Sequence, residues 1–233
     1  METERNGAGE IILGELLLLK DEKYRDFHAK LIPTLPKERI IGVRSPDLRK
    51  VAKKYRGSEI ADNFLKSPRH YYLEENNIHG LLLEKMRDFD RLIFELDRFL
   101  PWVDNWATCD MMSPVIFKKE KTKLRPIALR WMDSGDIYTV RFGIKTLMSH
   151  YLREDFDVSL ASAVAAVRSD EYYINMMIAW YFATALAYQF DEIIPFISEH
   201  RLSSWVNNKA IQKARESYRI SPEIKEELKK YRI

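Results

Sequence analysis

Apolar residues recur at helical spacing along nearly the whole chain, and no segment joins strict apolar/polar alternation to a hairpin turn. In the stretch Ser45–Tyr55, Leu48, Val51, Ala52 and Tyr55 fall at i, i+3, i+4 and i+7 and make one apolar face. Ser45 reads as its N-cap, with Pro46 at the first helical position. Ser134-Gly135-Asp136 signals a turn and cap before a helical run from Ile137 to Leu152, and Ser169-Asp170 does so before one from Tyr172 to Tyr188. Only 8 of the 233 residues are Gly, about half the usual share of ~7%. A β-sandwich or a nucleotide-binding α/β fold needs more glycine for its turns and phosphate loops. The pattern predicts an all-α chain of ten or more short helices.

Those helices repeat weakly. Tyr71-Tyr72, Ile137-Tyr138 and Tyr172-Tyr173 each open an amphipathic helix, and the step from Tyr138 to Tyr172 is 34 residues. The segment from Asp104 to Met112 falls one step before Tyr138, and Asn207 to Ala214 about one step after Tyr173. Two helices per step of this length suit a HEAT-like α-solenoid, a superhelix of antiparallel helix pairs. In such a stack, matching positions of successive repeats line one groove; with no long linker or low-complexity segment in the chain, the expectation is a single domain over 1–233.

Composition bounds the function. The chain carries 38 Lys+Arg against 35 Asp+Glu, a net charge of +3, with a pI near 8.8. Nucleic-acid binding then requires basic residues gathered on one face. The single Cys109 excludes a disulfide framework and fits a reducing cytosol. The apolar stretch Ile11–Leu19 is interrupted by Gly14 and Glu15 and is too short to span a bilayer. Glu2 and Glu4 oppose a signal peptide. A cytoplasmic protein without membrane contact is expected. No glycine-rich phosphate loop occurs, and the five His residues show no metal-ligand spacing, so neither metal nor cofactor is expected.

The chemistry-bearing segment is Trp102–Met112. Trp106 and Asp110 stand at i and i+4, on one face of a helix. An indole beside a carboxylate suits a developing cation, the ring through its quadrupole and Asp110 through its charge. The alternative reading has Trp106 in the core and Asp110 capping the next helix before Pro114. Arg141 sits in the first turns of an otherwise apolar helix, and Trp180 in the run Tyr172–Tyr181; the repeat register puts both on layers equivalent to that of Trp106 and Asp110.

Trp106-x-x-x-Asp110, Arg141 in Val-Arg-x-x-Ile, and Trp180 in Ile-x-x-x-Ile-Ala-Trp together resemble the AlkD-like DNA alkylation-repair glycosylases, which are built from HEAT-like repeats. The 39 residues between Arg141 and Trp180 fit that pattern. Similarity extends to Gly42–Arg49 and to Asn208–Lys213 and covers about Tyr24 to Ile220, leaving 1–22 poorly matched.

The resemblance implies a glycosylase acting as a monomer on double-stranded DNA that contains alkylated bases. Asp110 would be the catalytic carboxylate, Trp106 and Trp180 aromatic walls beside the lesion's deoxyribose, and Arg141 a phosphate clamp. A purine alkylated at N3 or N7 is already positively charged, so it departs without a strong general acid. The burden falls on an oxocarbenium-like sugar, as in glycoside cleavage. For the DNA backbone, Lys209 and Lys213 stand at i and i+4, with Lys118, Lys119, Lys121, Lys123 and Arg215 as further basic candidates. Two rival functions share this pattern: a non-catalytic binder of distorted or branched DNA, and a HEAT-type adaptor for a protein partner.

Overall fold

A computed structural model describes residues 6–233; Glu2 and Glu4, which bear on the reading of the start, lie outside them. The described residues form fourteen α-helices and no strand, the all-α fold expected. They divide into two units, one running to Glu120 and the other from Lys121 to Ile233.

The first unit holds α1 (Gly7–Leu18), α2 (Glu22–Leu31), α3 (Ser45–Tyr55), α4 (Glu59–Leu65), α5 (Leu73–Leu83), α6 (Phe89–Phe99) and α7 (Trp106–Met111). Helix α5 is its centre: α3, α4, α6 and α7 all pack on it, and all eleven of its residues are buried. A helix buried on every side is normally apolar all round. Here α5 carries Glu74, Glu75, Asn76, Asn77 and His79 inside the protein, so each must find polar partners. Glu74 accepts hydrogen bonds from the backbone N–H groups of Ile41, Gly42 and Val43 at 2.9, 2.8 and 3.3 Å. Burial pushes its carboxyl above the ordinary range, and the three N–H groups act against that shift. The loop it holds needs Gly42, whose φ is +96° and whose position leaves no room for a Cβ, which would sit 2.3 Å from the carbonyl oxygen of Asp21.

The second unit holds α8 (Lys121–Met132), α9 (Ile137–His150), α10 (Val158–Ala166), α11 (Tyr172–Leu186), α12 (Phe190–Ser198), α13 (Ser204–Glu216) and α14 (Pro222–Lys229). Helix α9 packs on α11 and α11 on α13, while α10 packs on α12 and α11. This gives successive helix pairs in two layers, consistent with a helical solenoid. The core is mainly apolar, with Thr139, Arg141, Thr146 and Asn207 buried in it: Trp131 and Phe142 meet edge to face at 5.3 Å, and Tyr181 and Phe182 of α11 are fully buried. Burying side chains of this size contributes roughly 1.5–3 kcal/mol each. Gly143 lets α8 and α9 approach closely, since a Cβ there would stand 2.7 Å from the carbonyl oxygen of Ala128.

Three boundaries differ from the sequence reading. Ser45 is the first residue of α3, and Arg44 occupies the cap position without a side-chain cap bond; the Glu74-held loop sets the entry of the chain instead. Helix α9 stops at His150, because Tyr151 leaves helical geometry and donates its hydroxyl to the carbonyl of Lys121 at 2.6 Å. Helix α11 stops at Leu186, where the N–H groups of Tyr188 and Gln189 both turn back to the carbonyl of Ala185.

Candidate functional site

The expected site residues fall in both units: Trp106 and Asp110 in the first, Arg141, Trp180, Lys209 and Lys213 in the second.

In the first unit, α7 is six residues long, too short to be stable through its own hydrogen bonds. Buried polar groups hold it. Asn105 is its N-cap, fully buried, and its Oδ1 accepts from the N–H of Thr108 at 2.8 Å. Its Nδ2 donates to Asp104 Oδ1 and to Thr108 Oγ1, each at 3.1 Å. The Thr108 hydroxyl donates in turn to Asn77 Oδ1 of α5 at 2.8 Å. At the outer end, Arg39 pairs with Asp104 at 2.7 Å and donates its Nε to the carbonyl of Tyr71 at 2.8 Å.

This frame fixes Trp106 and Asp110. Trp106 packs its ring on the apolar group Ile32, Leu35, Ile40 and Leu73, and its indole N–H donates to the carbonyl of Leu31, the last residue of α2, at 3.0 Å. The ring is partly exposed, as is Asp110 one turn further along the same helix face. Asp110 lies inside α7, and Pro114 rather than Asp110 takes the cap position of the turn at Val115–Lys118. Cys109 is buried beneath them.

In the second unit, Arg141 is only 4% exposed and donates its Nη1 to the carbonyl of Tyr173 at 2.7 Å. It therefore ties α9 to the first turn of α11. Trp180 is 40% exposed, far from the plain core position usual for such a residue. It lines a shallow hollow of about 260 Å³ together with Thr184, Lys213, Glu216, Tyr218 and Arg219. Lys213 is thus beside Trp180. Lys209 stands one turn earlier on α13, its ammonium 5.7 Å from the ring centre of Trp205 and bonded to Gln212 Oε1 at 2.8 Å.

The other basic candidates are used differently. Lys121 pairs with Asp155, and the Nε of Arg215 is buried. Two stretches that carried the resemblance serve the fold: Gly42–Arg49 supplies the loop that Glu74 holds, and Asn208 exchanges hydrogen bonds with the backbone of Ile233 at 2.6 and 3.0 Å. Trp205, Tyr218 and Arg219 went unnoticed in the sequence. Trp205 was accessible to it, because Trp205, Lys209 and Lys213 recur at four-residue intervals after the cap Ser203.

The structure is thus an all-α fold consistent with a helical solenoid, with a partly exposed indole beside a carboxylate in one unit and exposed indoles beside basic residues in the other. The family model described as DNA alkylation repair enzyme matches residues 15–214. The chain belongs to that family, and its role is in DNA alkylation repair. The match begins before Tyr24, where the resemblance in the sequence starts, and so includes the last four residues of α1 and all of α2. No curated protein matches the chain. No helix among the described residues is long and apolar enough to cross a membrane.

Proposed function

We propose that the chain is a DNA glycosylase that hydrolyses the N-glycosidic bond of positively charged N3- or N7-alkylated purines in duplex DNA. The observation that carries this reading is the pairing on α7 of a partly exposed Asp110 with an indole locked in place by its N–H bond to Leu31. A group fixed before the reaction needs no reorganisation when charge develops, which is where electrostatic catalysis gains most.

In the proposed reaction the bond from C1′ to the purine nitrogen breaks, and its electron pair leaves with the base, which becomes neutral. Asp110 stabilises the resulting oxocarbenium ion and orients water for attack at C1′, accepting its proton. Trp106 walls the sugar, adding cation–π attraction of roughly 0.5–2 kcal/mol, and in the other unit Trp180 offers a second exposed indole to the DNA. Arg141, the clamp that the resemblance implies, is 4% exposed and donates its Nη1 to the Tyr173 carbonyl, so it acts by positioning the first turn of α11. Lys209 and Lys213 hold the backbone.

The test is single-turnover release of methylated purines from alkylated duplex DNA by the purified protein. Release by the unmodified protein and its loss in Asp110→Asn are expected. A protein that binds the duplex but releases nothing overturns the enzyme and leaves a non-catalytic DNA binder.

A further inference from the structure

The N-terminal ends of α11 and α13 carry two large aromatic residues that the proposed reaction does not use. Tyr172, the first residue of α11, is 54% exposed, and Trp205, the second of α13, is 42% exposed. Their rings meet edge to face, with centroids 5.7 Å apart and planes at 67°. Tyr172 also meets Tyr173 edge to face at 5.2 Å, and Tyr173 is held through its carbonyl by Arg141. The pair is therefore a fixed corner open to solvent. The Lys209 ammonium lies 5.7 Å from the Trp205 ring centre.

Flat faces beside a cation are what a nucleotide outside a double helix requires: the base stacks on the ring, and the phosphate meets the ammonium. Helix N-termini of this length add a positive field at the same place. The position is also in register with the Trp180 hollow. Tyr172 precedes Trp180, and Trp205 precedes Lys213, by the same eight residues, a displacement of about 12 Å along each helix. Following α11 and α13, a strand that contacts Trp180 meets the aromatic corner roughly two helical turns away.

We propose that Tyr172 and Trp205, with Lys209, form a stacking site for a nucleobase that has left the duplex stack, separate from the Trp180 hollow. The inference rests on the reading of this chain as acting on DNA. Ring faces recognise any base, so the site favours an unpaired nucleotide regardless of sequence.

The test compares two undamaged duplexes at fixed salt by fluorescence anisotropy, one fully paired and one with a single unpaired adenine. The unmodified protein is expected to bind the second more tightly. Trp205→Ala removes a stacking face worth about 1–3 kcal/mol per base. It should therefore weaken binding of the unpaired-base duplex by about fivefold or more, and that of the paired duplex by less than about twofold. Trp205→Phe, which keeps a ring, should retain most of the preference. Equal loss on both duplexes, or none on either, overturns the stacking site. Purine release from alkylated DNA, measured on the same proteins, separates the two readings. Absent release with a Trp205-dependent preference defeats the glycosylase alone, whereas intact release without that preference defeats the stacking site alone.

Discussion

Both units use one device and build different things around it. In each, an arginine donates to a carbonyl 32 residues later, Arg39 to Tyr71 and Arg141 to Tyr173. In each, that carbonyl belongs to a Tyr-Tyr pair whose rings stand edge to face, at 4.9 Å and 90° or 5.2 Å and 88°. Beyond this the units diverge. The first buries its polar groups: Asn77, Asn105 and Thr108 are linked beneath a six-residue helix, and Asp104 ties them to Arg39. The second fills α11 with Ile174, Met177, Ile178, Tyr181 and Phe182 and turns Tyr172, Trp180 and Trp205 outward. A long helix is held by its apolar face and can offer the other face to a ligand. A helix of six residues has no such surplus, so the pair proposed on it for catalysis needs a buried polar frame.

If the division is between chemistry in the first unit and DNA contact in the second, variants should separate them. The largest effect belongs to Asp110→Asn, which keeps the shape but removes the charge. It should lower single-turnover purine release on the order of 100- to 1,000-fold, while duplex affinity holds or rises slightly. Near-normal release by Asp110→Asn would place the chemistry outside α7.

Next comes the frame. Asn105→Ala removes the cap of α7 and a buried partner of Thr108, and should cost about 1–3 kcal/mol in denaturant unfolding. Gln212→Ala, on the exposed face of α13, should cost less than about 0.5 kcal/mol. Equal costs would erase the contrast between a polar frame and an apolar scaffold.

A smaller effect concerns pH. His79 of α5 is fully buried, stacks on Phe99 at 4.0 Å, and bonds through Nδ1 to His70 at 2.8 Å. Burial holds its pKa well below the ordinary histidine range, with the charges of His70 and Arg98 acting in the same direction. The folded chain thus resists a proton that the unfolded chain accepts near pH 6.5. The stability contributed by neutral His79 is present above that pH and is lost as pH falls toward the folded pKa, with a slope of up to about 1.4 kcal/mol per pH unit. His79→Phe should flatten stability against pH below about 6.5; an unchanged slope would show that another group carries it.

The smallest is electrostatic. Removing Lys213, beside Trp180, should reduce the slope of log affinity against log salt by about 1 for paired duplex of any sequence. An unchanged slope would take Lys213 off the DNA.

Most of this was legible before the structure, because it is local. The spacing of Leu48, Val51, Ala52 and Tyr55 predicts the face that α3 buries, and Trp106 and Asp110 share a face wherever they form a helix. What lay beyond reach was the use of polar residues inside. A sequence holding Glu74 and Asn77 in one helix reads as a solvated face, since the partners that make their burial tolerable come from segments 31 to 33 residues away. Arg141 shows the same limit: its position in an apolar helix was visible, but not its bond to Tyr173. Gly42–Arg49, equally visible as a motif, could not be told from a functional segment without the carboxylate that holds it.

The sequence by itself determined the helices, the fold class and the residue types available for chemistry, because helical period and residue identity follow from covalent order alone. Only the tertiary structure decided which polar groups are buried in networks, that Trp180 and Trp205 open to solvent, and that Lys213 stands beside Trp180. Burial and pairing belong to contacts between distant segments, and their free energy is fixed only when those segments pack.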